Sequence, residues 1–412
     1  MTTLATPRPL FALAATLALA ACTLPTKLGE LTDGAETTDP QATTGADDPT
    51  TDGGQDTIPI NSGGVESSED TGDGTTADAT SGDAPCSEVT VTRTPVAPNV
   101  ILVLDKSGSM VTELGGFWDH DDDPLTPDVT RWSSLHEVVE TVVTDFDAAI
   151  NFGAHLFPGA GATAQYDENA CVLAETVEIP VAAMNKVEIL AGIPLAGDES
   201  LRGGTPTTAA MTTALAHLKT LDPSVPRAVL LVTDGAANCA EGTVAPPLFE
   251  LYDDGVHDVV ADAFTIDGIP TYVVGVGIED VESATAQDGK PDATNTFDRL
   301  NQLATEGGKP RNDPNEKFFN TTNQIELAAA LGDIAVDALT CIVTLDPAPL
   351  TPEGTVVVLD DETIPQVTDC ATEDGWVYQN PDGPFDAIEL CGAACGGLKI
   401  IGAAEVTVCS PR

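Results

Sequence analysis

The run Asn99-Val-Ile-Leu-Val-Leu-Asp-Lys-Ser-Gly-Ser-Met110 constrains this chain more than any other stretch. The aliphatic block Val100 to Leu104 is too short to span a bilayer and too uniform for a strand with one wet face. It reads as a strand buried on both sides, the condition of a strand inside a parallel sheet flanked by helices. The block stops at a carboxylate, Asp105, followed by hydroxyls at Ser107 and Ser109. Open α/β sheets place ligands just past the carboxyl ends of their strands, and oxygens of this kind suit a hard divalent cation.

Two distant segments extend the theme. Gly203-Gly204-Thr205-Pro206-Thr207 sets a hydroxyl in a glycine-rich loop ahead of a helix, and Ala228-Val-Leu-Leu-Val-Thr-Asp234-Gly235 again runs from buried strand to carboxylate. Asp-x-Ser-x-Ser by itself would equally suit a turn capping the next helix. Together, Asp-x-Ser-x-Ser, a later Thr in a Gly-Thr-Pro loop, and Thr-Asp-Gly after a second apolar strand closely resemble the metal-ion-dependent adhesion site of von Willebrand factor type A (vWA) domains. The resemblance implies that Ser107, Ser109 and Thr205 touch the ion directly, while Asp105 and Asp234 hold it through water and hydrogen bonds. Mg²⁺ is the expected ion, with Mn²⁺ or Ca²⁺ as alternatives. Mg²⁺ keeps octahedral geometry and several waters, which leaves a position for a partner's Asp or Glu oxygen.

Alternating elements support the same fold class, a doubly wound, Rossmann-like α/β vWA domain over residues 97–340. Helices are predicted over Arg131–Ala149, Met184–Leu190, Thr207–Leu221, Val256–Asp267, Phe297–Thr305 and Asn323–Leu339, from apolar residues recurring every three or four positions. Further strands are predicted over Ile150–Phe157, near Thr176–Ile179, and over Arg227–Thr233, Pro270–Ile278 and Lys317–Phe319. The loop Val111–Thr130 carries Asp119-His120-Asp121-Asp122-Asp123, which lacks the Gly and closing Glu of an EF-hand and reads as a solvated acidic rim that selects partners. His136-Glu137-Val138-Val139-Glu140 lacks the second His of a zinc-protease helix and reads as a surface face. His155, alone in a strand, reads as a core residue, and Gly275 and Gly277 as aids to close packing.

The ends of the chain carry different signals. Residues 1–21, with Arg8 and an apolar segment from Leu10 to Ala21, fit a secretory signal. Leu19-Ala20-Ala21-Cys22 resembles the lipobox of bacterial lipoproteins, which implies cleavage before Cys22, its acylation, and display at the outer membrane or cell surface. Two or three acyl chains anchor a protein where one holds it only marginally. Residues 22–85 are Thr, Asp, Gly, Ser, Pro and Ala with almost nothing to bury, and are expected to form a disordered acidic linker, about 45 Å in root-mean-square span.

Nine cysteines leave eight once Cys22 is set aside. In an exported chain Cys86, Cys171, Cys239, Cys341, Cys370, Cys391, Cys395 and Cys409 read as disulfide candidates, with Cys171 and Cys239 favoured as a pair because both fall in loops at the site end of the sheet. Cys391-x-x-x-Cys395 has loose spacing for half a zinc site and no nearby His, so disulfides are preferred. Residues 341–412 form a separate pattern of short strands, at 342–345, 355–359, 376–378, 387–390 and 405–408, with Asp360-Asp361-Glu362 as a hairpin turn. A β-rich module of that size needs disulfide staples.

With 66 acidic against 16 basic side chains and a formal charge of −50, nucleic acid and anionic lipid surfaces are poor partners. The expected function is a membrane-anchored, metal-dependent binding module at the bacterial envelope, engaging a protein or envelope ligand that presents a carboxylate. One alternative is an envelope assembly protein whose metal only stabilises the fold. A hydrolase is disfavoured, because the five histidines are scattered and neither Ser107 nor Ser109 has a base nearby in sequence.

Overall fold

The structure is a computed structural model that describes residues 87–112, 116–244, 247–349 and 351–410. The leader, Cys22, the acidic linker and Cys86 lie outside the described residues. In chain order the elements begin with β1 (Ser87–Arg93), β2 (Asn99–Asp105), β3 (Phe117–Trp118), β4 (Val129–Thr130) and α1 (Arg131–Asp145). There follow β5 (Asn151–Phe157), β6 (Ile179–Ala182), α2 (Lys186–Gly192), α3 (Thr207–Lys219), β7 (Arg227–Thr233), α4 (Gly255–Thr265) and β8 (Thr271–Val276). The central domain closes with α5 (Thr296–Glu306), β9 (Phe319–Thr321) and α6 (Gln324–Ala338). Beyond it run β10 (Ile342–Thr344), β11 (Val356–Leu359), β12 (Glu362–Ile364), β13 (Gly375–Tyr378), β14 (Ala387–Cys391), α7 (Gly392–Ile401) and β15 (Ala404–Ser410).

Six strands form the main sheet in the order β6-β5-β2-β7-β8-β9, parallel throughout except for the antiparallel edge strand β6. Counted within this sheet the order is third, second, first, fourth, fifth, sixth, the doubly wound arrangement whose switch point lies between β2 and β7. The two faces of β2 explain its unbroken apolar run. Val100, Leu102 and Leu104 pack under α1 and α6 with Trp132, Leu135, Val139, Leu327 and Leu331. Ile101 and Val103 pack on the opposite side with Met211 and Leu215 of α3, Val260 of α4 and Leu303 of α5. A residue every 3.3 Å, pointing alternately up and down, thereby serves two cores.

Helix starts follow the local chemistry. Thr130 caps α1 by accepting from the Ser133 N–H at 3.0 Å, and Asn323 caps α6 by accepting from that of Glu326 at 2.9 Å. The strand expected near Thr176–Ile179 lies three residues further on, as β6, where Pro180 interrupts the pairing with β5.

The C-terminal module has two small sheets, β1-β15-β11-β12 and β10-β14-β13, around a core of Val343, Leu345, Val357, Trp376, Ile388, Leu398 and Val406. Helix α7, unforeseen in the strand pattern, fills this core with Leu398 and ends at Gly402, whose φ of 81° is a left-handed cap. The hairpin β11–β12 turns on Asp360 and Asp361, both with positive φ, so Glu362 belongs to the strand. Strand β1, outside every segment assigned from sequence, pairs with β15 over seven registered positions from Ser87↔Ser410 to Arg93↔Ala404.

Disulfides join Cys341 to Cys395 and Cys370 to Cys391 in this module, and Cys171 to Cys239 in the central domain. Cys391 and Cys395 are thus both bridged, each to a different partner. Among the described residues no helix is long and apolar enough to cross a membrane.

Candidate metal centre

Asp105 is the last residue of β2 and Asp234 the first after β7, so the two carboxylates meet at the switch point, where adjacent crossovers leave in opposite directions and open a crevice. The Asp105 side chain is fully buried and turns the chain back on itself, accepting the Ser107 N–H at 2.8 Å and the Thr233 hydroxyl at 2.6 Å. That turn brings Ser107 Oγ to 2.9 Å from Ser109 Oγ, and Ser109 Oγ donates to Asp234 Oδ1 at 2.7 Å. Four of the five sequence-derived residues therefore form one hydrogen-bonded constellation, with Ser109 and Asp234 meeting across 125 residues of chain. Ser107 is buried and Ser109 exposed, so the constellation opens to solvent on the Ser109 side.

The loop that carries Thr205 meets the Asp105 turn through its backbone. Gly203 accepts the Gly108 N–H at 3.1 Å, joining the glycine loop to the Asp105 turn. The Thr205 hydroxyl makes no hydrogen bond to the other four among the described residues. Two glycines precede it because the backbone is pinched there. Gly203 has φ +114°, and a Cβ on it would meet Pro158 Cγ at 2.6 Å and the Ala170 carbonyl at 2.7 Å. On the far side Asn238 clasps Thr205, its Oδ1 accepting the Thr205 N–H at 2.7 Å while its own N–H donates to the Thr205 carbonyl at 3.2 Å. The Cys171–Cys239 bridge, with Cα atoms 5.8 Å apart, ties together the two loops that flank this clasp. Closing so long a loop contributes about 4 kcal/mol in the chain-entropy picture.

Burial, and then the neighbouring Asp234 charge, push the Asp105 carboxyl up to about 7 against the hydrogen bonds from Thr233 and Ser107. Burial also raises Asp234, opposed by Arg131, whose Nη1 donates to Asp234 Oδ2 at 3.0 Å. Lys106, buried beside Asp105, is held below its usual range by desolvation. Two buried carboxylates and the hydroxyls of Ser107 and Ser109 make an all-oxygen donor set, which suits a hard divalent cation. No cluster of three or more His, Cys, Asp or Glu side chains occurs among the described residues.

Because the folded chain holds the Asp105 proton up to about pH 7 and the unfolded chain releases it near 3.8, metal-free stability should fall as pH rises between those values. Urea unfolding in chelator at pH 5 and pH 7.5 should show the wild type losing a few kcal/mol relative to Asp105→Asn, which mimics the protonated form. An unchanged difference between the two chains would contradict the assignment.

The acidic loop lies beside the start of α6, with Asp122 and Asp123 exposed to solvent as expected. Asn323 donates to Asp122 Oδ2 at 2.8 Å, and the Gln324 N–H donates to the His120 carbonyl at 3.0 Å. His155 is buried as expected, with Nδ1 2.6 Å from Glu178 Oε2, and its Nε2 has no hydrogen-bond partner among the described residues. Sequence reasoning passed over Thr233, Asn238 and Arg131. Arg131 carried a signal: a cation on the first turn of a helix opposes the helix dipole and calls for a carboxylate nearby.

No protein-family model matches this chain, and no curated protein does. Among solved structures it is similar to the pilus adhesin SpaC from Lactobacillus rhamnosus GG, at 14% identity and TM-score 0.40 over 78% of this chain and 41% of that one. It is likewise similar to the PilB minor pilin from Streptococcus sanguinis, at 16% identity and TM-score 0.36 over 58% of this chain and 61% of that one. A third similarity is to the manganese-loaded TRAP protein of Plasmodium vivax, at 14% identity and TM-score 0.34 over 61% and 78% of the two chains. The chain spans less than half the length of the SpaC adhesin. At this level of overlap the chemistry of the site rests on the chain's own residues.

Proposed function

We propose that this chain is a surface-displayed binding protein whose vWA-type head captures a carboxylate on a protein or envelope ligand through a divalent ion, with no catalytic step. The supporting observation is the convergence of Asp105, Ser107, Ser109 and Asp234 at the sheet's switch point, open to solvent at Ser109. In this reading Ser107, Ser109 and Thr205 hold Mg²⁺ or Mn²⁺ directly, and the two carboxylates orient the hydroxyls and its waters. The ion supplies a Lewis-acidic position for an incoming carboxylate oxygen. Acylated Cys22 and the acidic segment after it tether the head to the outer membrane, and the strong negative charge keeps it off nucleic acid and anionic lipid.

The test is affinity capture from cell-envelope extracts by the compact unit, residues 80–412, in Mg²⁺ and in EDTA. Retention of a discrete ligand in Mg²⁺ that is lost in EDTA is the expected result. If EDTA only lowers the melting temperature and nothing is retained in either buffer, the ion is a folding staple and the binding role fails.

A further inference from the structure

Arg131 stands where the central site meets the start of α1, and three observations single it out. Its Nη1 lies 3.0 Å from Asp234 Oδ2, the carboxylate whose other oxygen receives Ser109. That carboxylate side chain is wholly buried, while the Arg131 side chain is 18% exposed. The guanidinium is also accommodated on its far side by Gly277, at φ +65°, where a Cβ would sit 2.7 Å from Nη2 and 3.1 Å from Cζ. A methyl group there would displace the guanidinium, so the glycine leaves room for it. The side chain's only hydrogen bond among the described residues is the one to Asp234, and its buried Nε has no partner. In a chain with 16 basic residues, a guanidinium against the main acidic site is an unusual placement.

Resting on the metal reading above, we propose that Arg131 is the site's built-in counter-cation: it neutralises Asp234 when no ion is bound and weakens the site's hold on divalent ions. A buried carboxylate without a partner is strongly destabilising, and the guanidinium removes that penalty in the metal-free chain. The same positive charge, left a few ångströms from an arriving divalent ion, opposes it. An arginine beside a carboxylate lowers that group's proton affinity by 10-fold or more, and its affinity for other cations falls in the same sense. The consequence is a head that stays folded without metal and takes up ions in a tunable range.

Calorimetric titration of Mg²⁺ and Mn²⁺ into wild type, Arg131→Gln and Arg131→Lys tests this. Arg131→Gln should bind about tenfold more tightly and melt lower in EDTA, whereas Arg131→Lys, which keeps the charge, should stay near wild type in affinity. A second readout needs no loss of the arginine. In the ¹⁵N-labelled wild-type chain the arginine Nε–H resonance that Arg131→Lys lacks should shift as Mg²⁺ saturates the site. An unchanged or weakened affinity in folded Arg131→Gln, equal tightening in Arg131→Lys, or a resonance indifferent to the ion overturns the inference. Absence of ion uptake by the wild type would instead remove the metal reading itself, together with this inference.

Discussion

Asp234→Ala should cut divalent-ion affinity at least about 100-fold, and should lose the melting-temperature rise expected of the wild type in Mg²⁺. The size of the effect comes from what Asp234 joins: one oxygen accepts Ser109, itself 2.9 Å from the Ser107 hydroxyl, and the other holds Arg131. Outer partners that only orient metal ligands are worth 10–100-fold each, and this residue also carries half the site's carboxylate charge. A ligand at 100 times its dissociation constant stabilises a fold by about 2.7 kcal/mol, so the lost increment is readily seen in a thermal melt. The metal-free variant should fold, because removing Asp234 also removes a buried charge, although Arg131 is then left without its carboxylate. Calorimetry and melts with and without Mg²⁺ check this, and wild-type-like ion affinity in Asp234→Ala would place the ion elsewhere.

The second large effect concerns the module rather than the site. A chain that begins at residue 97, the start of the central domain by sequence, should lose the folded C-terminal module, while one beginning at residue 80 keeps it. Strand β1 stands opposite every residue of β15 along one side, and the Thr90 and Thr407 hydroxyls meet across the pair at 2.7 Å. Val406 and Val408 of β15 are buried in the module core, so this is not an expendable edge. Without β1 the longest strand of the module becomes an open edge, which is both destabilising and a template for aggregation. Proteolysis and size-exclusion chromatography of the two chains should show a protease-sensitive, self-associating 97–412 beside a resistant, monodisperse 80–412. Equal resistance would mean that the module holds without its first strand.

The two outcomes bear on how the molecule works. The chain enters through the module at β1, builds the α/β domain, and returns to complete the module at β15. Lys399 of α7 donates to the Asp337 carbonyl at the end of α6 at 2.9 Å, and the Val96 N–H donates to the Ile342 carbonyl at 2.7 Å. These contacts fasten the module to the central domain beside the first and last turns of its chain. The Asp105–Asp234 constellation lies at the carboxyl ends of the parallel strands, while β2 begins at Asn99, a few residues from those contacts, so the two lie at opposite ends of β2.

Local order was written in the residues. The apolar block Val100–Leu104 declared a doubly buried strand, the three- and four-residue spacing of Leu135, Val138, Val139 and Val142 declared α1, and the ends of β7 and α3 fall within two residues of the expected ones. Asp105, Ser107, Ser109 and Asp234 were legible because each sits at a fixed offset from a strand that only one environment suits. Tertiary structure alone decided the rest: β1 on β15, Cys370 with Cys391, Cys341 with Cys395, Asn238 on Thr205, and Arg131 on Asp234. Periodicity reports the face a residue shows its immediate surroundings, a local property set by backbone geometry. Which of many chemically equal cysteines, strands or carboxylates a group meets is settled when distant segments close together, by packing and loop-closure entropy that no local window of residues contains.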